Sequence, residues 1–342
     1  MNSRMKAAGS RNPEMTMSKN QTLMAGVDLG GTSMQVLIVD GKNAILAATK
    51  ARTERSKKPA ALTDDIAGAV EDATSKAGLK RRDLAAVSIG APGSVDRHRG
   101  VVHDAPNLGW DEYPLGPELE KRLRVPVLVD NDVNVGTVGE HALGAGAGTN
   151  NLMGIFVGTG IGGGIIANGR LYEGSRGGAG EIGHTVILVD GPLCGCGHRG
   201  CAEALASRTA MERDVRAAIK AGRKSVVLEI MEKRDKSRMT SSVIQDALNQ
   251  EDALMQEVME RAQHYLGILA ANMVNLLDPE CVVVGGGIAS RLGEHFVEPI
   301  RETAHEYFLH QRDVKRVKIV RGRLGDNAGA LGAVVLGRQR LG

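Results

Sequence analysis

One local order occurs twice along the chain: an apolar β-branched run, a glycine-rich turn, a second run, an Asp-Gly or Asn-Gly turn, and a third run. The first copy is "LMAGVDLGGTSMQVLIVDGKNAILAATK" at 23–50 and the second is "NNLMGIFVGTGIGGGIIANGRLYEG" at 150–174. Such punctuation predicts a meander of three strands in each place, and its recurrence predicts two related halves. In the first half, residues 60–78 carry apolar positions at helical spacing and end on glycine, so they read as a helix. A buried strand follows in "LAAVSIGAPGSVD", then an amphipathic "LGPELEKRLRV" and the strand "PVLVDND". In the second half, 205–278 is largely helical in pattern, "DPECVVVGGGIAS" is a buried strand whose glycine turn opens a helix, and "DNAGALGAVVLGRQRLG" closes the chain as a helix. This alternation predicts an α/β protein, with a border near residue 135.

A chain of 342 residues is long enough for two such cores. Its 42% hydrophobic and 24% charged residues are ordinary for a soluble protein, and no apolar run approaches the roughly 18 to 20 residues of a membrane span. A net charge of +3 gives no support to a nucleic-acid or anionic-membrane partner. The first twenty residues are basic and polar, lack the apolar core of a secretory signal, and read as a disordered tail. A cytoplasmic location is therefore expected.

The glycines carry the first functional signal. "DLGGT" at Asp28–Thr32 and "GTGIGGG" at Gly158–Gly164 each lie between two strands. A hairpin of this kind can aim several backbone N–H groups at a phosphate, because glycine removes the side chains that would block its approach. Neither is a Rossmann or P-loop turn, since a strand follows rather than a helix; for either one alone, simple hairpin geometry is the commoner explanation. Asp28, beside the first turn, is placed to hold Mg²⁺. The third turn, "VGGGI" at Val284–Ile288, either supports a nucleotide or lets a helix pack closely.

"VDNDVN" sets Asp130, Asn131, Asp132 and Asn134 at the end of an apolar strand. Alternation sends Asn131 and Asp132 in different directions, so only a turn there brings both to one ligand. Asp132 is a candidate base for a hydroxyl; an Asx cap on the following helix is the structural alternative. Trp110, the single tryptophan, reads as a packing residue.

Three of the four cysteines crowd into "GEIGHTVILVDGPLCGCGHRGCAEALAS". In a chain without an export signal, such crowding points to metal or thiol chemistry rather than disulfides. His184, Cys194, Cys196 and Cys201 make a Cys₃His set, which suits a closed tetrahedral zinc site with no place for a reactive water. His198 competes for the fourth position, but its closeness to Cys196 strains the tetrahedron. A zinc finger for nucleic acid is disfavoured by the scarcity of basic neighbours.

Taken in order, "DLGGT", "APG", "PNLGW", "DNDVN", "GTGIGGG", "GEIGH", "CGCGHRGCAE" and "VGGGI" closely resemble the ROK family of sugar kinases and related repressors, over about residues 23–340. The resemblance implies a two-domain actin-like ATPase (hexokinase-like) α/β fold around a cleft: a tail at 1–21, one domain at 22–135, and a second at 136–342 with the zinc loop. In that arrangement the final helix packs back on the first domain. It implies Asp132 as the catalytic base, with Gly93, Asn107, Asn131, Glu181, His184 and Glu203 as sugar contacts. His184 then serves both zinc and sugar. Asp28 helps place Mg²⁺; Gly30, Gly31, Thr32, Gly158, Thr159 and Gly160 bind the ATP phosphates; Gly286 and Gly287 flank the adenosine. The implied activity is transfer from MgATP to a hexose, glucose foremost, by a homodimer or homotetramer. Kinases of N-acetylhexosamine, mannose or fructose are the alternatives, and a sugar-responsive repressor is disfavoured because few residues precede the first strand. Ser33 departs from the lysine that family kinases often carry after "DLGGT". The charged helical stretch 209–252 has no assigned role.

Overall fold

The computed structural model describes residues 23–54, 57–105 and 107–342; the segment read as a tail, 1–21, lies outside them. The first half runs β1 (Met24–Leu29), β2 (Ser33–Val39), β3 (Ile45–Arg52), α1 (Pro59–Lys76), β4 (Ala86–Ala91), β5 (Ser94–Asp96), β6 (Val101–Ala105), β7 (Trp110–Tyr113), α2 (Leu115–Leu123) and β8 (Val127–Asn131). α3 (Asp132–Leu143) then leads to β9 (Leu152–Val157), β10 (Ile161–Ala167) and β11 (Arg170–Leu171). A helical stretch follows: α4 (Ala202–Ala206), α5 (Arg208–Lys220), α6 (Val227–Lys233), α7 (Ser241–Asn249) and α8 (Ala253–Leu277). The chain closes with β12 (Cys281–Gly285), α9 (Gly286–Leu292), α10 (Glu294–Glu306), β13 (Lys318–Arg321) and α11 (Ala328–Leu341).

The two large sheets have the same topology. Their strand orders are β3-β2-β1-β4-β8 and β11-β10-β9-β12-β13. In each, the meander is antiparallel and the last two strands join parallel to the first. The doubled glycine pattern thus corresponds to a doubled fold, with an apolar core in each half. The third sheet, β5-β6-β7, was not foreseen. Its strands have three to five residues, too short to show alternation. α10 was also missed; Pro299, inside it, reads in sequence as a breaker. Trp110 is 2% exposed and packs 4.9 Å from Tyr113, as its sequence context suggested. No helix of the described residues is long and apolar enough to cross a membrane.

Two elements join the halves. α3 touches β4 and β8 of the first sheet and β9 and β10 of the second. α11 lies along α3 and against β1 and β4; it is apolar nearly all round, as a helix buried on several sides must be. The α3–α11 crossing depends on glycine: a Cβ on Gly332 would stand 1.7 Å from the Val135 carbonyl oxygen, and one on Gly139 would stand 2.4 Å from that of Ala328. Gly332→Ala should therefore destabilise the protein by about 3 kcal/mol, at the upper end of overpacking costs, because backbone rather than a side chain must move. A thermal melt of the variant at unchanged pH checks this. Two turns beyond Asp132, Glu140 is 1% exposed, and its carboxylate accepts hydrogen bonds from Ala145 N (2.9 Å), Arg323 N (2.9 Å) and Leu324 N (2.8 Å).

Candidate functional site

The parallel register of β1, β4 and β8 sets Asp28, Gly90 and Asp130 in one row, so acidic residues from distant parts of the chain line up near the carboxyl ends of the strands. Gly90 keeps the row open, since a Cβ there would fall 2.4 Å from Val135 Cγ2 and 3.2 Å from Asp132 Cα. β8 ends on Asn131, which performs the capping considered for this motif: its Oδ1 accepts from Val133 N (2.9 Å) and Asn134 N (3.1 Å). Asn131 Nδ2 donates to Gly93 O at 3.0 Å. Gly93 has φ +93°, and a Cβ on it would meet Asp104 O at 1.8 Å, so only glycine fits. Asp132, first residue of α3, is thereby spared the cap; its Oδ1 accepts from the adjacent Val133 N at 2.9 Å.

Exclusion from solvent pushes Asp132 up to about 7; the charge of Asp28 adds to this and Glu181 adds less, while backbone hydrogen bonds oppose it. Asp28 is pushed up to about 6, first by burial and then by Asp326, with Lys50 opposing. Burial and the charge of Asp28 thus hold Asp132 toward the protonated form, which suits it to a proton-accepting role near neutral pH.

Both glycine hairpins sit at the end of the first strand of their sheet. In the first, Gly30 N donates to Ser33 O (3.0 Å), and Thr53 N donates to Thr32 O (3.0 Å), which closes the turn just after Asp28 and Leu29. In the second, Gly158 N donates to Gly160 O (2.9 Å). Glu203 Oε2 accepts from Ile161 N at 3.0 Å and fills the space where a Cβ on Gly160 would lie. Thr159 is held by Thr209 Oγ1, which donates to its carbonyl (2.8 Å), and by Arg208 Nη2, which donates to its Oγ1 (2.7 Å). Gly286, at φ +88°, lies against Val157, the residue before this hairpin, and Gly287 lies near Ser241. The second and third glycine turns are therefore neighbours.

Between the halves, a narrow cleft is lined by Gly93, Asn131 and Asn134 on one side and by Gly162, Gly163 and the segment 177–181 on the other. Glu181 reaches it from that segment. Arg97 and Glu173 pair across it at 2.5 Å, and Arg340 of α11 reaches both Glu173 and Asp130. Asn107 is exposed on the β6–β7 loop and is not among the lining residues.

The Cys/His stretch folds into a compact knuckle. Its ligand atoms, from His184, Cys194, Cys196 and Cys201, all lie within 4.8 Å of one another. Cys196 Sγ and Cys201 Sγ are 3.7 Å apart, and Cys194 Sγ is 3.6 Å from His184 Nδ1. A zinc tetrahedron has S···S edges of about 3.8 Å and S···N edges of about 3.6 Å, so the set has the dimensions to hold that ion. Burial pushes the Cys201 thiol up to about 12, while the backbone and side-chain groups of His198 pull Cys196 down to about 6. Three sulfurs in this setting become thiolates together only with a cation among them. His198 Nδ1 is 3.5 Å from Cys196 Sγ and acts as that sulfur's neighbour, outside the four-atom group. Cys194 Sγ also lies 3.8 Å from Glu203 Oε1, which links the knuckle to the second hairpin.

Asp326 and Arg208 escaped the sequence reading. The first lies in "GDNAG", which reads as a plain helix start, and the second begins a charged helix that reads as solvated.

Over residues 24–340 the chain matches the family described as the ROK family. It is 35% identical over 317 residues to a glucokinase of Halalkalibacterium halodurans, covering 92% of this chain and 94% of that one. It is also 30% identical to a xylose repressor of Caldicellulosiruptor bescii, over 97% of this chain and 82% of that one. Among solved structures, a ROK family glucokinase from Streptomyces griseus in complex with glucose and AMPPNP superimposes with a TM-score of 0.81 at 34% identity, covering 93% of this chain and 99% of that one.

Proposed function

The chain belongs to the ROK family, and on that premise we propose that it is an ATP-dependent hexose kinase whose substrate is glucose, phosphorylated on O6. The observation that carries the chemistry is Asp132, turned out of the cap role by Asn131 and held near neutrality beside Asp28. As the sugar oxygen attacks, an O–P bond forms to the γ-phosphorus, the bond to the β,γ-bridging oxygen breaks, the hydroxyl proton passes to Asp132, and ADP leaves. A loose phosphoryl-transfer transition state needs alignment and charge neutralisation more than a strong base. A carboxylate with a pKa near 7 is sufficient.

Gly93, Asn131, Glu181 and His184 are assigned to the sugar, with Glu203 supporting them from the knuckle; Asn107, exposed on the β6–β7 loop, would join them only as the cleft closes. Gly30, Gly31, Thr32, Gly158, Thr159 and Gly160 are assigned to the phosphates, and Gly286 and Gly287 to the adenosine side. Asp28 would hold Mg²⁺, its shielded carboxylate lying near the end of β1 beside the first glycine turn and acting electrostatically on Asp132. When bound, that ion neutralises phosphate oxygens. The Cys₃His set would hold a structural zinc, fixing His184 through Nδ1 so that Nε2, across the ring, can meet a sugar hydroxyl. Closure of the cleft would exclude water as a competing acceptor.

Two measurements test this. In an ADP-release assay over glucose, mannose, fructose, N-acetylglucosamine and N-acetylmannosamine, glucose should give the highest kcat/KM; a higher value for an N-acetylated sugar overturns the substrate assignment, and release with none overturns the activity. A pH series should show kcat/KM for glucose rising with unit slope to a plateau, with its midpoint near pH 7, because the base acts only when ionised. A profile flat from pH 5.5 to 8 removes Asp132 from the role.

A further inference from the structure

The glycine hairpins contain no cation: neither 24–41 nor 152–169 includes a lysine or arginine. The first has Lys50 and Arg52 nearby on β3, where Arg52 pairs in register with Ser33 and Lys50 bonds Asp326 at 3.1 Å. The second hairpin, by contrast, offers no charge of its own to the several negative charges of a nucleotide triphosphate.

Arg208 stands beside the second hairpin. It is the first residue of α5, partly buried, and doubly attached there: its backbone N donates to Gly158 O (3.0 Å) and its Nη2 to Thr159 Oγ1 (2.7 Å). Among the described residues no carboxylate pairs with it. Glu212, one turn along the same helix, is already engaged by Arg216 Nε (2.9 Å), Arg238 Nε (3.0 Å) and Met239 N (3.0 Å). Burial, and then the charge of Arg238, pull the Arg208 pKa below its usual value. A shielded guanidinium with one of its five N–H groups on Thr159 and no acid is a site waiting for an anion.

We propose that Arg208 binds the nucleotide's β- and γ-phosphates as they lie on the Gly158–Gly160 turn. It supplies the positive charge that the second hairpin lacks, and its fork geometry matches phosphate oxygens. The assignment rests on the reading of the chain as an ATP-dependent kinase.

The test uses the full chain, Arg208→Gln and Arg208→Lys, with kinetics in ATP and glucose and calorimetry with Mg²⁺ plus AMPPNP or AMP. For Arg208→Gln, kcat/KM for ATP should fall about 10- to 100-fold, the range for losing a charged hydrogen-bonding partner. AMPPNP affinity should fall similarly, AMP affinity and glucose KM should stay within about twofold, and Arg208→Lys should recover part of the loss. Unchanged AMPPNP affinity, or equal losses for AMPPNP and AMP, overturns the proposal; so does a matching rise in glucose KM. Absence of ADP release by the wild-type chain would instead defeat the kinase reading itself, while AMPPNP binding would still report on Arg208.

Discussion

Asp132→Asn should lower kcat by about two to four orders of magnitude, the usual effect of removing a positioned general base, while glucose binding changes little. The same variant should be more thermostable than wild type. The sign follows from proton binding: Asp132 titrates near 3.8 when unfolded and at about 7 in the fold. Between about pH 4 and 7 the folded protein therefore holds a proton that the unfolded chain has released, and stability falls as pH rises through that window. Asparagine has no charge to bury, so the variant should gain about 1–2 kcal/mol at pH 8 and almost nothing at pH 4, the figure being reduced from the full shift because the carboxylate retains some solvent contact. Melting curves at the two pH values, beside initial rates, measure both effects. Full turnover in Asp132→Asn would remove the proposed chemistry, whereas lost turnover with no gain in stability would show that the carboxylate is solvated.

The other large effect concerns the knuckle. The wild-type chain should bind one zinc, and Cys201→Ala should lose it, because the replaced sulfur is fully buried and forms one edge of the tetrahedron at 3.7 Å from Cys196. Freed from the ion, His184 loses its fixed ring angle, and Cys194, the knuckle residue beside Glu203, is no longer held in place. Glucose KM should rise at least about tenfold, as loss of groups that orient a metal-site ligand commonly does. Metal content by mass spectrometry and the glucose KM decide it, with circular dichroism to show that the rest of the chain remains folded. Zinc-free wild-type protein of full activity would reduce the cluster to surface thiols.

The sequence makes some of this architecture readable and hides the rest for physical reasons. The hairpins are legible because β-branched runs broken by glycine have few other conformations, and the repeat of that pattern anticipated the repeated sheet. The influence of Asp28 on Asp132 is different: it arises from the parallel pairing of β1, β4 and β8, and strand order is not a local property. Within "VDNDVN" the residues alone left cap and base unresolved, because Asn and Asp both suit either place; the hydrogen bonds to Asn131 give it the cap. The β5-β6-β7 sheet stayed invisible for want of length. Arg208 did too, since an arginine at a helix start looks like any solvated charge until its missing acid is noticed.

α3 has Asp132 at one end and, near the other, a carboxylate clasped by three backbone amides. A helix is stiff along its axis, so the clasp at Glu140 also steadies the end that bears Asp132. Arg323 and Leu324 lead within two residues to Asp326, whose charge acts on Asp28, so one turn of chain braces both the far end of this helix and the acid beside the first hairpin.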